Sequence, residues 1–344
     1  MNTQIIKSDG KRLADITLNE AAGILNNGGL VVFPTETVYG LGGDATNPTA
    51  AEKIYAAKGR PSDNPLIIHI SQPSDAEDYA FTNPTYYSLA KAFMPGPLTV
   101  ILKKKDSIPL SVTGGLDTVA IRCPSHPVAR QLIGALGKPI AAPSANLSGK
   151  PSPTCARHVI DDLNGRVDMI IDGGSCDIGL ESTIVKLDGD KATLLRPGAI
   201  TADALRCVCK SVEIAPAVLE QLKENERPLS PGMKYRHYAP CVPLILIDGE
   251  KDSVINFLIK EQREKKCAVL CYHEELELLD SQNLIDIGNS NDLETQAQAL
   301  FTALRDADEL DVEVIYAHLP PKSGIGLALY NRMIRAAAHT VIKV

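Results

Sequence analysis

Hydrophobic and polar positions follow one another in blocks that predict helices and strands in turn. Thr17 and Glu20 have the spacing of a capping box and predict a helix that runs to about Asn26, where Gly28 and Gly29 follow. Thr49 and Glu52 have the same spacing and predict a helix that runs into Lys58. Short apolar runs bounded by Gly and Pro predict buried strands between the helices. The alternation indicates a mixed α/β sheet.

The same patterns predict two α/β regions. In the first we expect strands at 30–33, 66–70, 98–102, 118–121, 139–142, 169–171, 183–187 and 193–195, and further helices at 84–93, 126–136, 202–209 and 216–226. In the second, strands at 243–247, 267–271 and 312–316 alternate with helices at 253–264, 293–304 and 327–338. This regular alternation predicts a small parallel, Rossmann-like layer. Asp248-Gly249-Glu250 follows its first strand where a dinucleotide site would have GxGxxG, so dinucleotide binding is not expected.

The chain of 344 residues is long enough for two domains. A proline-bounded, aromatic and basic stretch at 228–240 separates the two regions. We therefore expect a first domain at 1–205, a connector at 206–240 that folds over the active site, and a C-terminal domain at 241–344. The fold class expected is α/β, with a twisted mixed sheet and a smaller parallel C-terminal domain.

Charge is distributed unevenly. Residues 241–344 carry 10 Lys+Arg against 17 Asp+Glu, so the whole formal net charge of −7 lies there, and residues 1–240 carry 25 of each sign. An acidic C-terminal region argues against a grip on a phosphate backbone there. Aromatic residues make up 4% of the chain, which weakens any interpretation based on stacking single-stranded bases.

The cysteines and the longest apolar runs indicate which cellular compartment to expect for the protein. The eight cysteines include no CxxC pair and no zinc-like Cys/His spacing, and Cys207 and Cys209 are interpreted as alternate positions of one element. The longest apolar runs have the length of a strand, and the first residues do not resemble a secretory signal. We expect reduced thiols, no membrane span and a cytoplasmic protein.

Two loops carry the main candidate chemistry. Lys58 and Arg60 lie in a loop broken by Gly59, Pro61 and Pro65, where an Arg fork and a Lys point charge can neutralise phosphate. The loop Pro143–Gly149 supplies short hydroxyl and amide side chains that can orient a nucleotide. No GxxxxGK[ST] occurs, so an ATP site here would not be of the P-loop type.

Other polar residues have a structural as well as a functional interpretation. Thr35 and Thr37 can satisfy backbone groups of a turn, and His69 inside an apolar strand is more often a core residue than a catalyst. Arg122 ends a buried strand, where a cation needs a carboxylate or a ligand as partner, and Arg196 repeats that arrangement. Glu181-Ser182-Thr183 fits either a cap or a binding hydroxyl.

Together these blocks resemble the YrdC-like family of threonylcarbamoyl-adenylate synthases. The blocks that carry the resemblance are 34–42, 58–66, 95–99, 119–124, 143–149, 181–183 and 195–199, and the segment 230–240 with the C-terminal unit resembles the longer, two-domain branch. The resemblance implies a nucleotidyltransferase that forms threonylcarbamoyl-AMP and pyrophosphate from L-threonine, bicarbonate or CO2, and ATP. The product would serve the threonylcarbamoyl modification of adenosine beside the anticodon in tRNAs that read ANN codons.

The resemblance also implies roles for particular residues. It implies that Lys58 and Arg60 are catalytic. The residues implied to bind ATP are Lys58, Arg60, Asn64, Thr118, Ser144, Asn146, Ser152, Arg196 and Tyr238, with Tyr238 as a lid. The residues implied to bind L-threonine are Thr37, His69, Arg122, Ala142 and Ser182. Mg²⁺ is expected on the phosphates of ATP without a dedicated protein cage, and the product is expected to pass to the tRNA threonylcarbamoyl-transfer machinery.

Two other functions remain open at this point. One is a binding module for double-stranded RNA or tRNA, which the salt dependence of tRNA affinity would test. The other is a carbamoyltransferase, because a YrdC-like domain also occurs in larger hydrogenase-maturation proteins. Those proteins carry further segments ahead of that domain, whereas only 33 residues precede Pro34 here.

Overall fold

The computed structural model describes residues 2–220, 238–279 and 283–344, which fall into two compact units. The first unit takes its described residues from 2–148, 152–177 and 181–220, and the second takes 149–151, 178–180, 238–279 and 283–344. The second unit thus includes two three-residue segments that lie in sequence between parts of the first unit. No helix within the described ranges is long and apolar enough to cross a membrane.

The first unit is built on a mixed sheet of 11 strands. The strands are β1 Gln4–Lys7, β2 Val31–Phe33, β3 Gly40–Asp44, β4 Ile67–His69, β5 Leu98–Lys103, β6 Thr118–Arg122, β7 Ile140–Ala141, β8 Met169–Asp172, β9 Thr183–Asp188, β10 Lys191–Arg196 and β11 Ser211–Ile214. Their order is β1-β8-β2-β3-β7-β4-β6-β5-β9-β10-β11, with parallel and antiparallel pairs intermixed. The helices are α1 Asp15–Asn26, α2 Pro48–Lys58, α3 Pro84–Phe93, α4 Pro127–Leu136, α5 Ala156–Leu163 and α6 Ala202–Arg206.

The second unit has a separate five-strand sheet that is parallel throughout. Its strands are β12 Leu244–Asp248, β13 Cys267–Cys271, β14 Leu284–Asp286, β15 Val314–His318 and β16 Val341–Lys343, in the order β14-β13-β15-β12-β16. Its helices are α7 Lys251–Glu264, α8 Leu293–Asp308 and α9 Gly326–Ala336. The predicted α/β class, with a large mixed sheet and a small parallel one, is confirmed.

Both predicted capping boxes are wrong. Helix α1 begins at Asp15, two residues before Thr17, and its N-cap Ala14 makes no side-chain cap. Helix α2 is capped by Asn47, whose side chain accepts a hydrogen bond from the backbone N–H of Thr49, and Pro48 occupies the first helical position. An Asn before a Pro is an equally good start signal, and it competes for the same stretch of chain.

Several elements were not predicted, namely β1, β3, α5, β11, β14 and β16. Strand β3 contains three glycines, which are depleted in strands and conceal it in the sequence. The helix predicted at 216–226 is a single 3₁₀ turn, Pro216–Val218, as far as residue 220, and the rest of it lies outside the described residues. Residues 221–237 of the connector predicted at 206–240 also lie outside them.

Each unit has its own hydrophobic core. In the first unit, α1 and α4 cover one end of the sheet through a cluster that includes Leu25, Phe33, Leu132 and Ile140. A smaller cluster, Ile67, Ile101, Ala120, Ile184 and Leu195, lines the strands that carry the polar residues described below. In the second unit, α7 packs on the parallel sheet. All eight cysteines are free thiols.

Candidate active site

Two buried polar side chains end neighbouring strands of the first sheet. Strands β4 and β6 are parallel, so His69 and Arg122 face each other in register at the last position of each strand. Thr99, in the antiparallel neighbour β5, lies opposite Arg122. Each of the three side chains is almost fully buried, with 4% of His69 and 4% of Arg122 exposed. The sheet therefore brings a cation, an imidazole and a hydroxyl into one row.

Arg122 forms a buried ion pair with Glu36, and their Nη2 and Oε1 atoms are 2.6 Å apart. Burial alone would raise the pKa of Glu36. The charge and hydrogen bond of Arg122, together with backbone donors, outweigh burial and hold that pKa below its ordinary value. The partner expected for Arg122 is thus a protein carboxylate. The Nε atom of Arg122 is buried and has no hydrogen-bond partner within the described part of the chain.

His69 is neutral at physiological pH. Burial, and then the neighbouring charge of Arg122, lower its pKa to about 3. Its ring meets Phe33 edge-on at 6.1 Å between centroids. Among residues 2–220, 238–279 and 283–344, nothing forms a hydrogen bond with its Nδ1, although this atom is buried. A buried ring nitrogen without a partner is unusual for a core histidine and is typical of a ligand contact.

The β2–β3 loop holds Thr37 with its hydroxyl oxygen available. The Oγ1 of Thr35 donates to the carbonyl of Val38 at 2.6 Å and also accepts the backbone N–H of Thr37. Because that hydroxyl proton is already used, the 2.9 Å contact between the two threonine hydroxyls needs Thr37 as donor. The turn interpretation thus holds for Thr35, and Thr37 Oγ1 keeps its capacity to accept.

A second group of hydroxyls joins the starts of β5 and β9 to the end of β10. Ser182 Oγ lies 2.7 Å from Thr99 Oγ1 and accepts from Arg196 Nη2 at 3.1 Å, while its carbonyl accepts from Arg196 Nε at 3.0 Å. Ser152 Oγ donates to the carboxylate of Glu181 at 2.6 Å. Ser182 and Arg196 thus occur together, although one was predicted to contact threonine and the other ATP.

Lys58 binds the loop that contains Ser144 and Asn146. Its ammonium donates to the carbonyls of both residues and, at 3.3 Å, to the side-chain oxygen of Asn146. The Ser144 hydroxyl donates to that same amide oxygen at 2.6 Å. Gly59 ends α2 with a φ of 62°, a left-handed conformation that glycine adopts without strain, and so turns the chain just after Lys58. The two loops singled out in the sequence are therefore in direct contact.

Arg60 and Asn64 lie in the loop after α2. The Nη2 atom of Arg60 donates to the carbonyls of Asn64 and Pro65 at 3.3 and 3.1 Å. Asn64 is buried, and its Oδ1 has no partner among the residues that the structure describes. A buried amide oxygen in this state can accept a hydrogen bond from a ligand at no cost to the protein.

Thr118 lies apart from these groups and Tyr238 belongs to the second unit, whereas Ala142 is hydrogen-bonded to β4, the strand that carries His69. Thr118 begins β6, opposite Lys103, and is four residues from Arg122, about 13 Å along the strand. The backbone N–H of Ala142 is used by the carbonyl of Ile67 at 2.9 Å. Tyr238 belongs to the second unit, where its ring stacks on Phe301 at 5.3 Å and lies below the guanidinium of Arg332 at 5.7 Å. Its role as a lid stays a prediction.

Three residues of these clusters were assigned no role from the sequence: Glu36, Thr99 and Glu181. Glu36 lies inside a motif block and is the carboxylate that Arg122 required, so the need for an anionic partner was the signal that pointed to it. Among the described residues, no three His, Cys, Asp or Glu side chains converge as a metal site.

Family models match almost the whole chain. A model described as "Telomere recombination" matches residues 23–198. A model described as "Threonylcarbamoyl-AMP synthase, C-terminal domain" matches residues 200–338. The two models thus cover both α/β regions.

Similar proteins agree with this over their full lengths. The threonylcarbamoyl-AMP synthase of Bacillus subtilis is 46% identical over 333 residues, which cover 96% of this chain and 95% of the relative. That of Pyrococcus abyssi is 43% identical over 346 residues, covering 99% of each. The crystal structure of Pyrococcus abyssi Sua5 complexed with L-threonine has a TM-score of 0.90 at 41% identity and covers all of both chains. The chain belongs to the threonylcarbamoyl-AMP synthase family, as its motifs predicted, and is an enzyme of the nucleotidyltransferase class.

Proposed function

We propose that this enzyme makes L-threonylcarbamoyl-AMP and pyrophosphate from L-threonine, bicarbonate or CO2, and ATP. The observation that carries the proposal is the row formed by Arg122 and the neutral His69, where two buried nitrogens, Arg122 Nε and His69 Nδ1, have no partner in the described residues. An amino acid offers a carboxylate for the guanidinium and polar atoms for the imidazole and hydroxyls. The threonine-bound structure of the Pyrococcus abyssi relative supports threonine as that amino acid.

The threonine site would consist of Thr37, His69, Arg122, Ala142 and Ser182. Arg122 binds the carboxylate of threonine, because an Arg fork matches a carboxylate better than any other side chain. Thr37 Oγ1 is suited to accept a hydrogen bond from the substrate, since its own proton is used by Thr35. The neutral His69 adds a hydrogen-bonding group without adding charge. The amine of threonine then captures CO2 as a carbamate.

The nucleotide site would extend from the Lys58 loop to Arg196. The residues proposed to bind ATP are Lys58, Arg60, Asn64, Thr118, Ser144, Asn146, Ser152, Arg196 and Tyr238. Carbamate and ATP are both anions, so the main tasks of the site are to hold them together and to neutralise their charge. Lys58 contributes its charge and also fixes the Ser144–Asn146 loop through its three acceptors. Magnesium would enter with ATP and would help to neutralise its phosphates.

The product and its destination are part of the same proposal. The carbamate oxygen attacks the α-phosphate of ATP, and pyrophosphate leaves. The resulting mixed anhydride is readily hydrolysed, which makes a lid over the nucleotide useful; Tyr238 is the candidate. The product would pass to the tRNA threonylcarbamoyl-transfer machinery in the cytoplasm.

One assay tests the proposal. Pyrophosphate release from ATP and Mg²⁺ should require L-threonine and bicarbonate together, and mass spectrometry should find threonylcarbamoyl-AMP. Pyrophosphate release that does not depend on threonine would contradict the proposed substrate. Arg60→Ala should reduce the release by about 10²-fold, as expected for the loss of one donor to transition-state charge. Glu52→Gln, on the exposed face of α2, is the control and should leave it unchanged.

A further inference from the structure

Glu36 is a buried carboxylate whose two oxygens have different partners. Its Oε1 accepts from Arg122 Nη2 at 2.6 Å. Its Oε2 accepts the backbone N–H groups of Ser125 and His126, which follow β6, at 3.2 and 3.4 Å. The carboxylate is therefore held by the β6–α4 loop on one side and holds the guanidinium of Arg122 on the other.

The bond to Glu36 restricts the orientation of the Arg122 guanidinium but leaves its Nε available for a ligand. The bond to Glu36 uses Nη2, while Nε is buried and has no partner among the described residues. A free arginine side chain has several torsions, and an arginine fixed at one nitrogen loses little further entropy when it binds a second carboxylate. The charge of Glu36 also balances a guanidinium that is 4% exposed and would otherwise be costly to bury.

We propose that Glu36 is a positioning residue that fixes the guanidinium of Arg122 for the carboxylate of the amino-acid substrate. This inference rests on the proposed function, in which Arg122 binds that carboxylate. Glu36 itself does not touch the substrate, because both of its oxygens are engaged by the protein. It also moves no proton, because its pKa lies below the ordinary value and the group remains ionised.

Replacing Glu36 with glutamine tests whether the charge and hydrogen bonds of Glu36 matter, and not only the volume of its side chain. The glutamine side chain would have nearly the same shape but only one acceptor oxygen, whereas the Glu36 carboxylate faces N–H donors on both sides. The variant Glu36→Gln therefore keeps the volume and loses either the bond to Arg122 or those to the loop. Glu52→Gln makes the same chemical change on the exposed face of α2 and serves as the matched control.

The experiment measures binding to the full-length chain by calorimetry, with ATP, L-threonine and L-threonine amide as separate ligands. The amide keeps the ammonium and hydroxyl groups of threonine but lacks the carboxylate. We expect E36Q to weaken L-threonine binding at least 10-fold, to change ATP binding less than 2-fold and to leave the amide as weak as with wild type. Equal weakening of threonine and its amide would overturn the proposal, because Glu36 would then act on the ammonium group. Unchanged threonine binding would overturn it as well.

A double variant keeps the test valid if E36Q folds poorly with an unbalanced Arg122. R122Q and E36Q/R122Q both lack the cation, and the proposal requires the two to bind threonine with the same Kd, since Glu36 acts only through Arg122. Weaker binding by the double variant would overturn the proposal. Failure of the proposed function has a different result: the wild type itself would neither bind threonine nor release pyrophosphate with it.

Discussion

The buried ring of His69 makes the free energy of unfolding depend on pH under acidic conditions. Burial and Arg122 lower its pKa to about 3, from an ordinary value of 6.5. Below pH 6.5 the unfolded chain therefore takes up a proton at His69 that the folded chain accepts only near pH 3. The contribution of His69 is present above pH 6.5 and is lost as the pH falls, by at most about 1.4 kcal/mol per pH unit.

The variant His69→Asn should therefore lose less stability than wild type between pH 7 and pH 5. Urea unfolding at both pH values measures the difference. His273 is the control, since its hydrogen bond to Asp286 raises its pKa. Its contribution is present below pH 6.5 and is lost as the pH rises, so His273→Asn should have the opposite effect on the slope. Equal pH slopes for wild type and His69→Asn would show that the ring is not buried as described.

His69 and Glu36 together predict the pH dependence of activity. His69, with a pKa of about 3, and Glu36, whose pKa is lowered, both keep one protonation state between pH 6 and pH 9. Neither can act as a base for the threonine ammonium, which in the proposed reaction loses a proton before the amine captures CO2. We expect kcat/KM for threonine to rise about tenfold per pH unit until free threonine itself titrates. A plateau near pH 6–7 in the measured profile would instead reveal a base in the site.

At the scale of single residues, the sequence predicted cations at the ends of strands but did not predict the partners of these cations. Arg122 and Arg196 were identified because each follows a buried apolar strand, and such a cation needs a partner. The partners, Glu36 for one and Ser182 for the other, are 86 and 14 residues away in sequence. Periodicity is a local signal and contains no information about contacts over such distances.

At the scale of elements, β3 shows where packing overrides propensity. A Cβ built on Gly42 would lie 2.8 Å from both Ile140 and Phe33 and 3.1 Å from the carbonyl of Val31. The side chains of Ile140 and Phe33 are fully buried and cannot move aside. Strand β3 needs glycine so that β2 and β7 can approach it closely. Because glycine is not typical of strands, the sequence did not predict this strand.

Two glycine-to-alanine changes test this explanation. Gly42→Ala should lower the free energy of unfolding by about 1–3 kcal/mol, because the added methyl group overpacks the core. Gly134 lies on the exposed face of α4, with nothing within 4 Å of a built Cβ, so Gly134→Ala should raise it by about 0.5–1 kcal/mol. Urea unfolding of both variants measures the contrast. A neutral Gly42→Ala would show that β2 and β7 can move apart.

At the scale of the whole molecule, alternation predicted two α/β regions but not the order of their strands. The long sheet places β7 between β3 and β4, and β9 beside β5, through pairings between distant parts of the chain. The second unit also includes residues 149–151 and 178–180. These six residues are too few to have a hydrophobic pattern of their own. Only their contacts in the folded chain assign them to the second unit.

The distribution of net charge argues against a tRNA-binding module. Residues 1–240 carry 25 charges of each sign and residues 241–344 carry the entire net charge of −7. One local feature among the described residues that would favour RNA is Phe81, which is 56% exposed and has Lys103 and Lys105 each 5.7 Å from its ring centroid. Two such cations give a slope of about −2 in a plot of log affinity against log salt, whereas a binding module with six to ten phosphate contacts gives about −5 to −9.

We therefore expect weak tRNA binding, with a Kd above about 10⁻⁶ M at physiological salt and a slope no steeper than about −2. Fluorescence titration of labelled tRNA from 50 to 200 mM salt measures both quantities. Lys103→Gln should change the slope by at most about 1, and Glu52→Gln should leave it unchanged. A slope steeper than −5 would mean that cations from distant parts of the chain form one surface, and the enzyme would then bind its final acceptor as well as make the activated group. A shallow slope agrees with the proposed function, in which the enzyme releases threonylcarbamoyl-AMP to separate transfer machinery, because an enzyme that binds tRNA weakly would not hold the acceptor itself.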